Sequence, residues 1–234
     1  MVTNILSAIS KPLKRLWKIR EPDYPPNINM ARQYIFIHIP KNGGTSVAHG
    51  LGYSLTSHRT ALQYKEIMTP KDFSICFKFC FTRNPWARFL SLYNYARMTD
   101  SLYHSSTNPE TSLYGKHLDY DLLHNATLNR CAHYLQEGKL RHDTSWNHWH
   151  PQVNWIQDTQ GTLLTDFIGK VENMAQDFHF ICEKLSLTSS LSRHNTSGKA
   201  PRDPFYYRSF YDQETKKIVA DYYQDDIDRF GYDF

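Results

Sequence analysis

Two runs of apolar residues stand out along the chain. Tyr34-Ile-Phe-Ile-His-Ile39 is β-branched and aromatic, broken by one histidine, and Phe73-Ser-Ile-Cys-Phe-Lys-Phe-Cys-Phe81 is mostly apolar as well. Continuous rather than alternating hydrophobicity marks strands covered on both faces, as in a parallel sheet. Pro40 stops the first run, and a helix is expected over Ser46 to Leu51, ended by Gly50 and Gly52. After the polar step Ser57-His58-Arg59-Thr60-Ala61, Leu62 to Met68 reads as helical. Strand, helix, strand is the unit of a parallel α/β sheet, whose ligands sit at the carboxyl ends of the strands. Farther on, spacing predicts a helix over Glu172 to Leu187 with Phe178, Ile181, Cys182 and Leu185 facing in. A last helix is expected over Thr215 to Phe230, with Ile218, Val219, Tyr222, Tyr223 and Ile227 as its stripe.

Both strands end in segments that suit anions. After the first come Lys41-Asn42-Gly43-Gly44-Thr45-Ser46, where two glycines permit unusual backbone angles and two hydroxyls open a helix. Unpaired amides and the helix dipole converge there on one point. A Walker A loop has its lysine after the glycines, directly before Ser/Thr, and here Lys41 precedes them. The order therefore fails the nucleotide-triphosphatase pattern, and an ordinary strand-to-helix turn stays open beside the anion cradle. After the second strand comes Thr82-Arg83-Asn84-Pro85-Trp86-Ala87-Arg88-Phe89-Leu90-Ser91-Leu92-Tyr93. Asn84 as N-cap and Pro85 as first helical residue put Arg83 on the turn, with Arg88 and Ser91 on one helix face. An arginine fork and a hydroxyl so placed make a phosphate clamp, and surface ion pairs are the alternative.

Pro-Lys-x-Gly-Gly-Thr-Ser followed by Arg83-Asn84-Pro85-x-x-Arg88-x-x-Ser91-x-Tyr93 resembles the paired motifs of the sulfotransferases that use 3′-phosphoadenosine 5′-phosphosulfate (PAPS), of the carbohydrate type that includes heparan sulfate 2-O- and chondroitin sulfotransferases and soluble bacterial relatives. Asp166-Phe-Ile-Gly-Lys-Val-Glu-Asn173 is similar to a late strand of that family, and Asp225 to Phe234 to its C-terminal ending. The likeness runs from about Tyr34 to the last residue and is weakest between Met98 and Thr144. It implies an α/β fold of P-loop-like, three-layer form, with a central parallel sheet and a helical insertion at about 97–160. Residues 1–30 would be a basic arm or helix and 31–234 the sulfotransferase domain. The resemblance implies that Lys41, Asn42, Gly43, Gly44, Thr45 and Ser46 hold the 5′-phosphosulfate, and that Arg83 and Ser91 bind the 3′-phosphate. A late loop implies further contacts from Asn195, Ser197 and Lys199, which a solvated linker would explain as well.

Sulfuryl transfer moves a charge-dispersed group in line between two oxygens, so such a protein mainly positions reactants and stabilises charge. Lys41 would neutralise the oxygen of the leaving 3′,5′-diphosphoadenosine (PAP), and no metal is required. The acceptor hydroxyl needs a base. His58-Arg59-Thr60-Ala61 resembles the stretch where the family carries its catalytic histidine, and neutral imidazole suits the task; a surface histidine at a helix start is the competing reading. His38, inside the first strand, reads as a core histidine.

Charge and composition narrow the remaining choices. With 27 Lys+Arg against 23 Asp+Glu the net charge is +4, too mild for a nucleic-acid binder but compatible with one anionic ligand. Ile5, Leu6, Ile9, Leu13, Leu16 and Trp17 alternate with Lys11, Lys14, Arg15, Lys18 and Arg20, yet no apolar run approaches the ~20 residues of a membrane span. Nor is there a secretory signal pattern. Cys76, Cys80, Cys131 and Cys182 show no Cys-x-x-Cys pairing and read as buried thiols, which points to the cytoplasm and makes the glycosylation matches at Asn125 and Asn195 fortuitous. From Arg97 to Trp155 the chain is polar, His-rich and aromatic. Tyr103, Tyr114, Trp146, Trp149 and Trp155 could face a sugar or simply pack, and His142, His148 and His150 form a weak metal pattern. The expected acceptor is a saccharide or a small hydroxylated metabolite. A P-loop phosphotransferase lacks its lysine and acidic magnesium ligand here, and a catalytically inactive nucleotide or glycan binder remains the third class.

Overall fold

The computed structural model describes residues 24–53, 57–99, 116–140, 148–188, 191 and 203–234. Four strands form one mixed, mostly parallel sheet in the order β1-β2-β3-β4. The short β1 (Ile28–Asn29) pairs antiparallel with β2 (Tyr34–Ile37), and β2 runs parallel to β3 (Phe77–Thr82), with Phe36 opposite Phe79. β3 runs parallel to β4 (Phe167–Lys170), with Phe81 opposite Gly169. Helices α1 (Gly44–Gly50), α2 (Ala61–Ile67) and α3 (Pro70–Ile75) connect β2 to β3. α4 (Pro85–Ala96), α5 (Tyr120–Leu123) and α6 (Leu128–Gln136) follow β3, and α7 (Met174–Lys184), α8 (Gln213–Tyr222) and α9 (Gln224–Phe230) follow β4.

Side chains on alternate positions of β2 enter different cores, which is why the strand reads as unbroken hydrophobicity. Tyr34 and Phe36 pack with Phe79, Phe81, Val47 of α1 and Phe178, Ile181 and Cys182 of α7. Ile35 and Ile37 pack with Cys80, Ala61 and Tyr64 of α2, Trp155 and Phe230. Each such fully buried side chain contributes about 1.5–3 kcal/mol. A third core joins α4, α5, α6 and α8 around Trp149 and Phe89, whose ring centroids are 5.8 Å apart. Trp149 and Trp155 are thus structural, and only 0% and 3% of their surface is exposed, so neither offers a face to a sugar. Tyr103, Tyr114, Trp146 and residues 1–23 lie outside the described residues.

Three elements differ from the sequence expectation. Phe73 to Ile75 end helix α3 rather than opening β3, because Thr69 caps the helix by accepting the Asp72 amide at 3.1 Å and Pro70 occupies its first turn. The first helix starts at Gly44, two residues early, since Gly43 adopts the left-handed conformation that ends the turn before it. The last helix breaks at Tyr223, whose hydroxyl donates to the Trp149 carbonyl at 2.7 Å. The break turns Asp226, within the stretch that resembles the family's C-terminal ending, into the interior. All four cysteines are buried and unpaired with one another. Among the described residues, no helix is long and apolar enough to cross a membrane.

Candidate active site

β2 leads through His38 into a tight backbone turn. Lys41 and Gly43 both have left-handed backbone angles, φ 69° and 73°. For the lysine this costs of order 1–2 kcal/mol, the kind of strain that gathers at functional sites. A Cβ on Gly43 would meet the flexible end of Met174 and be strained by the positive φ, and one on Gly44 would fall 1.8 Å from His38 Nε2, so a larger residue at either position is disfavoured. No side chain caps α1 at Gly43, and its first turn carries no acid, so the helix start presents its dipole without a negative side chain. Thr45 and Ser46 are themselves half-buried.

β3 delivers the second turn. Asn84 caps α4, its Oδ1 accepting the Trp86 and Ala87 amides at 3.1 and 3.3 Å, and Pro85 begins the helix. The Asn84 amide donates to Glu172 at 2.7 Å, which fixes the turn against the residues after β4. Arg83 points back across the sheet edge, where its Nη1 donates to the Lys41 carbonyl at 3.2 Å. Lys41 and Arg83, from different βα turns, therefore meet. Ser91, half-buried, stands two turns into α4.

A buried polar brace holds the two turns in place. Gln152 Oε1 accepts from Asn42 Nδ2 at 2.7 Å and from the Arg83 amide at 2.8 Å, while its Nε2 donates to the Arg83 carbonyl at 2.8 Å. Asp226 in turn accepts the amides of Gln152 and Val153, both at 2.8 Å. Asn42 also donates to the Phe81 carbonyl at 2.7 Å, and its own amide goes to Ile39. Its amide and Nδ2 are thus committed to the protein while its buried Oδ1 has no hydrogen-bond partner among the described residues, and Asn42 acts as a strut between the two turns. For Arg88 the expected phosphate clamp is corrected. It is 1% exposed and donates to the carbonyls of Pro40, His150 and His148 at 3.1, 3.0 and 2.7 Å, so it staples the first loop to the 148–150 segment instead of facing a phosphate. Asn195, Ser197 and Lys199 lie outside the described residues.

His58 is set beside this loop by three local devices. Asn27 accepts the Ser57 amide at 2.7 Å, Thr60 and Gln63 form a reciprocal cap at the start of α2, and His58 Nδ1 lies 3.0 Å from the His38 carbonyl. A carbonyl only accepts, so Nδ1 carries the proton and Nε2 is the basic nitrogen of the neutral ring. The ring centroid lies 4.1 Å from His38, 5.2 Å from His148 and 6.3 Å from Trp155. Burial lowers the His58 pKa to about 4, the hydrogen bond to His38 opposes this, and the Lys41 charge adds to it. Burial, with His58 and Lys41 close by, pushes His38 well below its ordinary value. Both rings are neutral at pH 7.

The cations are the electrostatic signature of the site. Burial, then the Arg83 charge, lowers Lys41 to about 8, and burial is also the main cause of the lowered Arg83 pKa. The Lys41 ammonium sits over the Tyr95 ring, 4.2 Å from its centroid. Among the described residues, no carboxylate comes within ion-pair distance of either cation. Glu172 and Tyr206 support the charged form of Arg83, while no carboxylate among the described residues supports that of Lys41; two half-buried cations so placed fit a polyanion. Surface depressions of 430 and 330 Å³ are lined by none of Lys41, Arg83, Ser91 or His58. No group of three or more His, Cys, Asp or Glu among the described residues is arranged to hold a metal ion.

Residues 27–233 match the model of the sulfotransferase family, over most of the length of the chain. The protein belongs to the sulfotransferase family. No curated protein and no solved structure matches it. As a sulfotransferase it is an enzyme that transfers a sulfuryl group, and the meeting of Lys41 with Arg83 lies where an α/β sheet places its ligand, outside the carboxyl ends of β2 and β3. Sequence reasoning missed the brace of Gln152 and Asp226 and the contact of Tyr95 with Lys41. Gln152 carries no local signal, Asp226 hides in an acidic run, and Tyr95 is one aromatic among many.

Proposed function

We propose that this sulfotransferase moves the sulfuryl group of PAPS to a hydroxyl of a saccharide, with His58 as general base. The observation that carries the reading is the pair of cations, Lys41 and Arg83, brought together at the sheet edge with no carboxylate in ion-pair contact among the described residues and only the charge of Glu172 acting on Arg83. The strand, tight turn and helix from Tyr34 to Gly50 form the P-loop-like part of the fold. Amides of Gly43 to Ser46 would hold the 5′-phosphate, Lys41 the oxygen that leaves with it, and Arg83 with Ser91 the 3′-phosphate. PAPS supplies the activated sulfuryl group. His58 Nε2 takes the hydroxyl proton as the new O–S bond forms and the bond from sulfur to the 5′-phosphate oxygen breaks, leaving PAP. Phosphate charge near Lys41 cancels one of the causes that lower the His58 pKa, making it a better base once the donor is in place. Because Lys41 serves the leaving phosphate, transfer should persist in chelator.

A small hydroxylated metabolite is the second reading for the acceptor, favoured by the burial of Trp149 and Trp155, which removes two candidate sugar platforms. The test is sulfate transfer from labelled PAPS, in EDTA, to oligosaccharides, small alcohols and phenols. His58→Gln should lower kcat by ~10²–10⁴ while PAP binding stays within a few-fold of wild type. Full activity in that variant would remove His58 as base, and no transfer to any hydroxyl would remove the donor assignment.

A further inference from the structure

Lys41 is held at its backbone and at the tip of its side chain. Its carbonyl accepts from Arg83 at 3.2 Å, its backbone is locked at φ 69°, and its ammonium lies 4.2 Å above the Tyr95 ring. We propose that Tyr95 is a positioning residue for Lys41, whose ring face aims the ammonium along the side of α4 that also carries Ser91. The proposal deepens the reading of Lys41 given above and rests on it. Ser91 and Tyr95 are four residues apart on α4 and so share one face. Tyr95 is itself fixed, its ring standing edge-on to that of the buried His117 at 5.7 Å and 81°. A lysine has more rotamer entropy to lose than most side chains, and a cation–π contact away from water offsets much of that loss. Among the described residues, the other charged or titratable groups that act on Lys41 or on which it acts are Arg83 from the β3–α4 turn, His38 just after β2 and His58 ahead of α2. Those groups are a cation and two neutral imidazoles, so the electron-rich ring face is what attracts the ammonium in this direction. An aliphatic side chain of similar volume would fill the space without that attraction.

The experiment measures PAP affinity from pH 7 to 10 by calorimetry in wild type, Tyr95→Phe, Tyr95→Leu, a series with fluorinated phenylalanines at position 95, and Lys41→Met. The wild-type alkaline limb should begin near the Lys41 value of about 8. Phenylalanine keeps the ring face and should leave the limb in place. Leucine, and fluorination in proportion to the number of fluorines, should move it down by up to about one pH unit. A Tyr95 that only fills space would change melting temperature or overall affinity but leave the limb where it is, and that result would overturn the proposal. The fluorinated series keeps the shape, so it decides the matter even if the leucine variant fails to fold. Persistence of the limb in Lys41→Met would instead overturn the underlying assignment of Lys41 to the donor.

Discussion

His38 and Gly44 are packed so closely that a methyl group on Gly44 would lie 1.8 Å from His38 Nε2. The contact couples the loop to the candidate base, because the carbonyl of the same His38 receives His58 Nδ1. Gly44→Ala must push the imidazole aside and should cost about 1–3 kcal/mol of stability. We expect a melting temperature several degrees lower and a fall in kcat of at least tenfold, since the displaced residue is the one that orients His58. Thermal unfolding and steady-state sulfate transfer check both. Normal activity in this variant would mean that the His38–His58 contact is not needed.

Arg88 holds three carbonyls in the interior, and its removal leaves buried acceptors without donors. Arg88→Met should therefore destabilise the ligand-free protein by ~3–5 kcal/mol. A melting temperature lowered by roughly 10 °C would match that figure at about 2–4 °C per kcal/mol. A phosphate ligand would behave differently, losing PAP affinity with stability almost intact.

The lowered pKa of Lys41 fixes the direction of a pH effect. In the free protein the ammonium loses its proton at about 8. Bound phosphates favour the charged form and raise that value, so affinity is full below pH 8 and weakens as pH rises through it. The expected decline is at most tenfold per pH unit for one proton, and titration of PAP binding measures it. A flat profile up to pH 10 would show that Lys41 does not meet the ligand's charge.

Reading outward from single residues worked where the cause is local. The apolar run Tyr34 to Ile37 became a strand buried on both faces, and Asn84 with Pro85 opened α4 as capping rules require. It failed at Phe73 to Ile75, where the Thr69 cap and Pro70 overrode a pattern that suits a strand equally well. It also failed at Arg88, whose motif position gives no sign of whether the side chain faces a ligand or the interior.

Order along the chain determined the parts of this sulfotransferase. A cation before a glycine pair, an arginine before a helix cap and a histidine before a second cap depend only on neighbours within a few residues. Tertiary structure alone decided how they are used. Gln152 bridges Asn42 and Arg83 across 110 and 69 positions of sequence, Asp226 reaches back 74 to hold Gln152, and Tyr95 receives Lys41 from another element. The physical reason is that a buried polar group must find a partner wherever packing supplies one, and which partner lies within reach is settled by how helices and strands meet.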